Sequence, residues 1–143
     1  MDQITYQEDD MSQPDLRTLL QTARRIAVVG LSDKPDRPSY GVAQYLQRHG
    51  YTIIPVNPAL QSVLGEQAYP DLASIPEPVD IVNIFRRPAD VGPVVDAAIA
   101  TGAPAVWLQL GIVNEAAAQR AREAGLTVVM DRCIKIEHAR LLG

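Results

Sequence analysis

Two hydrophobic patterns alternate along this chain. The first is a short, nearly continuous apolar run. It occurs five times, in RIAVVGL (25–31), YTIIPV (51–56), VDIVNIF (79–85), AVWLQL (105–110) and LTVVM (126–130). Runs of this length, rich in β-branched residues, predict strands buried on both faces. The second pattern has helical spacing. Leu16, Leu19, Leu20 and Ala23 recur at i, i+3, i+4 and i+7, one face of a helix. Val42, Tyr45 and Leu46 predict a second helix, with Ser39 as N-cap and Gly50 as its stop. Val91, Val94, Val95, Ala98 and Ile99 share a face of a third, capped by Asp90 and ended by Gly102. Pro93 is tolerated there because first-turn amides have no intrahelical partner. Asn114 opens an alanine-rich helix that Gly125 stops, and DRCIKIEHARLL predicts a short helix on an edge of the sheet. The Pro-rich connection 57–78 contains VLGEQAY, which predicts a small strand–turn–strand excursion.

Buried strands alternating with helices predict a parallel sheet covered on both faces. Right-handed crossovers then narrow the topology to a doubly wound one. The expectation is an α/β, Rossmann-like domain of about five parallel strands over residues 14–143, after a flexible polar tail at 1–13.

Length and charge sharpen this picture. The chain has 143 residues, enough for one domain with a sizeable core, and 47% of them are hydrophobic. The net charge of -4 argues against a general nucleic-acid binder, so any anionic ligand must be held by locally placed cations. A lone Cys133 permits neither an internal disulfide nor a cysteine metal cluster, and fits a reducing cytoplasm. The start of the chain lacks the pattern of a signal peptide, and no apolar run approaches the ~20 residues of a membrane helix. A cytoplasmic protein without a membrane partner is expected. His49 and His138 are distant in sequence, so neither a metal site nor a catalytic triad is expected, and both read as structural. A homodimer is compatible with the pattern.

In doubly wound sheets, ligands bind beyond the carboxyl ends of the strands. The first end carries Gly30, Leu31, Ser32 and Lys34, with Arg37 close behind. Gly30 allows a sharp turn and close approach of a ligand, and the following helix start favours an anion. Phe85, Arg86 and Arg87 end the third strand, and four cations near one rim of an acidic protein suggest a ligand with several phosphate charges. NAD is disfavoured: Ser32 stands where the second glycine of the dinucleotide fingerprint belongs, and the second strand ends in Val56, Asn57 and Pro58 without an acid. No Walker A loop is present.

These segments resemble the stand-alone CoA-binding domain family, small Rossmann-like proteins similar to the CoA-binding domain of the succinyl-CoA synthetase alpha subunit. The resemblance rests on VVGLSDKPDRPSYGVAQYL, GYTIIPVNP, LGEQAYPDL, VDIVNIFRRP, AVWLQLGIVNEAA and AGLTVVMDRCIKIEHARL, in order, over nearly everything after Arg24. It implies coenzyme A or an acyl-CoA as ligand. Gly30, Leu31, Ser32, Lys34 and Arg37 would hold phosphates, and Val56, Asn57 and Pro58 would border the adenosine. Phe85, Arg86 and Arg87 would face the nucleotide, and Gln109 and Leu110 would line the path of the pantetheine arm. One departure stands out: Ala59 and Leu60 follow the VNP turn, where the synthetase usually has lysines. His138 matches no part of the synthetase's phosphohistidine motif, so the resemblance implies binding rather than ligase activity. The alternatives are an NADP- or CoA-thioester-using enzyme on the same rim and a regulatory docking module. Cys133, near the expected rim, is either a buried structural thiol or a partner for the CoA thiol in a mixed disulfide.

Overall fold

A computed structural model describes residues 15–143. The expected tail at 1–13 lies outside the described residues. All five apolar runs form strands of one parallel sheet: β1 (Arg25–Val29), β2 (Thr52–Val56), β5 (Ile81–Ile84), β6 (Ala105–Leu108) and β7 (Thr127–Met130). Their order is β2-β1-β5-β6-β7. The chain therefore winds outward from β1 to β2, returns to β5, and winds the other way through β6 to β7. This reversal puts the topological switch point between β1 and β5.

The excursion in VLGEQAY is a hairpin of β3 (Ser62–Val63) and β4 (Glu66–Gln67). Its two turn residues, Leu64 and Gly65, both have positive φ, as a two-residue type I′ turn requires. The segment after it covers the β2 edge: the Tyr69 N–H donates to the Pro55 carbonyl, and the Asn57 N–H to the Tyr69 carbonyl.

Among the described residues five α-helices cover the sheet: α1 (Leu16–Thr22), α2 (Pro38–Arg48), α3 (Val91–Thr101), α4 (Glu115–Glu123) and α5 (Ile134–Leu141). Alternation along the strands separates two cores. Ala27, Val29, Val82, Ile84, Val106 and Leu108 pack with α3 and α4. Val28, Ile81, Trp107 and Val129 pack with α1, α2 and α5.

The helix ends depart from expectation in three places. Arg37, not Ser39, occupies the α2 N-cap, because Pro38, with no N–H to satisfy, takes the first helical position. Asp90 does occupy the α3 N-cap, but its carboxylate turns to Arg87 at 3.0 Å and makes no capping bond. Helix α5 does not lie along a sheet edge; it packs against α1 and α2, with Ile134 buried in their shared core. Asn114 caps α4 as expected, its side chain accepting from the Ala117 N–H at 3.0 Å.

Candidate functional site

The β1 turn is built from backbone contacts. Gly30 has φ +86°, and a Cβ there would lie 2.1 Å from the Phe85 carbonyl oxygen. Only glycine lets the first turn close against the end of β5 at the switch point. The Gly30 N–H donates to the Val56 carbonyl, and the Asn57 amide donates to the Leu31 carbonyl at 3.0 Å. These bonds tie the ends of β1 and β2 together, and the Phe85 N–H, donating to the Val29 carbonyl at 2.8 Å, ties in the end of β5.

A cleft of about 430 Å³ opens above this knot, lined by Gly30, Ser32, Asp33, Arg37, Pro38, Ser39, Asn57, Ala59, Leu60 and Phe85. Ser39 is buried in the first turn of α2, and its hydroxyl accepts from the Ser32 N–H at 3.0 Å. The Ser32 hydroxyl in turn accepts from the Lys34 N–H at 3.1 Å. The loop is thereby folded back on the helix start, and no side chain caps α2. The positive end of an 11-residue helix thus borders the cleft beside the Arg37 guanidinium.

A second, smaller cavity of about 180 Å³ opens on the α3 side of the same strand ends. Val29, Val56, Leu72, Val94 and Ala97 make it largely apolar, with Arg86 and Asp71 also in its lining. Cleft and slot flank the Gly30–Phe85 contact.

The structure divides the sequence-expected residues among different places. Gly30, Ser32, Arg37, Asn57 and Phe85 meet in the cleft. Val56 and Arg86 belong to the slot. Leu31 is fully buried, and its carbonyl accepts from the Asn57 side-chain amide. Lys34 and Pro58 are exposed and line neither cavity. Arg87 is exposed and paired with Asp90. Gln109 is buried, and its carbonyl oxygen accepts from the Ile134 N–H at 3.0 Å, capping α5 from the end of β6. Leu110 is 62% exposed and lies outside both cavities.

Sequence reasoning missed the slot residues Leu72, Val94 and Ala97 and the cleft residues Ala59 and Leu60. Val94 and Ala97 are three apart on one helix, a spacing that reads equally well as core, and Leu72 lies alone in the Pro-rich connection with no periodic signal. It also missed that His49 and His138, distant in sequence, lie with ring centroids 5.0 Å apart. Among the described residues no group of three or more His, Cys, Asp or Glu side chains is placed to hold a metal, and no helix is long and apolar enough to cross a membrane.

Comparison with known proteins agrees with this architecture. Residues 24–139 match the family described as a CoA binding domain. An uncharacterised protein, YneT, of Bacillus subtilis is 48% identical over 128 residues, covering 90% of this chain and 95% of YneT. An ADP-forming acetate–CoA ligase of Archaeoglobus fulgidus is 34% identical over 90 residues, which cover 62% of this chain and 13% of the ligase. The solved structure of a hypothetical protein from Pyrococcus horikoshii superposes with a TM-score of 0.88 at 43% identity, covering 90% of this chain and 91% of that one. With the family match running from the start of β1 into α5, this chain belongs to the CoA-binding domain family.

Proposed function

We propose that this chain binds coenzyme A, free or acylated, at the carboxyl ends of β1, β2 and β5, and catalyses no reaction by itself. The observation that carries this reading is the pairing of a polar cleft with an apolar slot across the Gly30–Phe85 contact. The uncapped start of α2, the Ser32 hydroxyl and Arg37 suit the phosphates. The slot, with Val29, Val56, Leu72, Val94 and Ala97, suits a flat base, and Arg86 supplies a cation next to it. A ligand with both a polyphosphate and a base uses both cavities; inorganic phosphate uses only one. Gln109 and Leu110 end β6, two strand spacings or roughly 10 Å from Gly30, a distance the long pantetheine arm spans. The absence of catalysis in this reading rests on the cleft lining, which holds Asp33 as its one carboxylate and no histidine.

Isothermal calorimetry with CoA, acetyl-CoA and NAD tests the proposal. Saturable binding of a CoA species, with NAD weaker or silent, is the expected result. No binding of CoA or acetyl-CoA at millimolar concentration overturns it. Native mass spectrometry of the purified protein, before and after reduction, separately reads whether CoA is carried on Cys133 as a mixed disulfide.

A further inference from the structure

We propose that the contact between His49 and His138 is an acid-sensitive latch holding α5 against α2. The inference does not depend on the identity of the ligand. The two imidazoles form one aromatic cluster with Tyr45 and Tyr51. The Tyr45 ring stacks on His49 at 4.0 Å between centroids and meets His138 edge-on at 5.4 Å, while Tyr51 meets His138 at 5.7 Å. His49 Nδ1 lies 2.8 Å from the Tyr45 carbonyl. A carbonyl only accepts, so that nitrogen carries the proton. His138 Nδ1 lies 2.9 Å from the Tyr45 hydroxyl. In its Nε2–H tautomer the neutral His138 accepts there from the hydroxyl.

Protonation reverses this arrangement. Both His138 nitrogens become donors, so the Tyr45 hydroxyl hydrogen must turn away. The new charge is buried, since His138 is only 6% exposed. Among the described residues no unpaired carboxylate faces it. The His49 ring stands 5.0 Å away between centroids, and the Lys135 ammonium stands 5.5 Å over the Tyr45 ring. Helix α1 and the residues after it contribute Arg17 and Arg24, and the Tyr51 hydroxyl is held neutral by burial. The neighbouring carboxylate, Glu137, is occupied by Arg140 at 2.6 Å and Arg132 at 3.7 Å. Neither imidazole pairs with a carboxylate among the described residues.

Burial, and then the charge of His49, hold the docked His138 below its ordinary value of 6.5. The undocked histidine therefore binds a proton more readily than the docked one. Docking is at full strength above pH 6.5 and weakens as pH falls below it. Helix α5 is suited to local opening because it contributes no strand to the sheet and packs on α1 and α2. Trp107, the only tryptophan, donates its indole N–H to the Arg132 carbonyl just before α5 and reports on that opening.

Hydrogen exchange of the intact protein at about pH 7.5 and about pH 5.5, corrected for intrinsic exchange rates, tests the latch on either side of the ordinary histidine value of about 6.5. Protection in α5 should drop by up to about tenfold, the ceiling for a group whose ordinary value lies about one pH unit above the lower pH, with a red shift of Trp107 fluorescence, while β5 and β6 stay protected. His49→Gln should restore part of that protection at the lower pH, and His138→Phe should make it independent of pH. Equal loss in wild type and His49→Gln, or parallel loss in α5 and the sheet, overturns the proposal. The His49→Gln result decides the matter if His138→Phe does not fold.

Discussion

The two layers that sandwich the sheet are built from different materials. The layer of α3 and α4 is filled by Val82, Ile84, Val91, Val95, Val106, Leu108 and the alanines of α4, with no polar side chain buried in it. The five buried polar residues, Ser39, Asn83, Gln109, Glu137 and His138, all belong to the other side. Ser39, Glu137 and His138 come from α2 and α5, and Asn83 and Gln109 point with Trp107 by strand alternation. Buried polar groups are costly unless paired. Four of the five have partners: Ser39 holds Ser32, Gln109 holds Ile134, Glu137 holds two arginines, and His138 meets Tyr45. Asn83 is fully buried, and neither atom of its amide has a partner among the described residues. One layer is thus an apolar foundation, while the other carries the polar contacts that shape the loop, the cleft and the docking of α5.

Gly30, where the layers meet at the strand ends, should show the largest effect. Gly30→Ala combines a backbone clash at 2.1 Å with a positive φ, so a loss of about 4 kcal/mol or failure to fold is expected in urea denaturation. Retention of wild-type stability would show that the turn does not close on Phe85. Val95→Ala, in the foundation, should cost about 2 kcal/mol by the same assay and leave CoA affinity unchanged. Arg37→Ala should do the reverse: stability is retained, and calorimetry should show CoA binding weakened by roughly 1–3 kcal/mol. If both substitutions lowered affinity equally, the division of labour between the layers would be lost. Asn83→Leu should have the smallest effect, a stabilisation of about 1 kcal/mol in thermal melts, because it removes an unpaired amide from an apolar setting. Destabilisation instead would reveal that the amide has a partner.

The strands and most helices were legible because burial on both faces and helical spacing leave periodic marks in the sequence. Helix starts were less so. Ser39 has the chemistry of an N-cap, but Pro38 claimed the first helical position, and the serine hydroxyl then served Ser32. The strand-end turn was legible through Gly30 and the charges behind it. The placing of those charges was not, because the cations after β1 and β5 go to different places: Arg37 to the cleft, Arg86 to the slot, Arg87 to Asp90, and Lys34 to solvent.

The sequence by itself determined a parallel α/β sheet and set Gly30 and a group of cations at its strand ends, because periodicity, strand ends and local charge are properties of neighbouring residues. Only the tertiary structure decided which of those residues share a cavity, that the polar burden falls on a single layer, and that His49 and His138 touch. Those outcomes depend on sheet order and helix packing, which bring together residues up to 124 positions apart, and no local pattern encodes them.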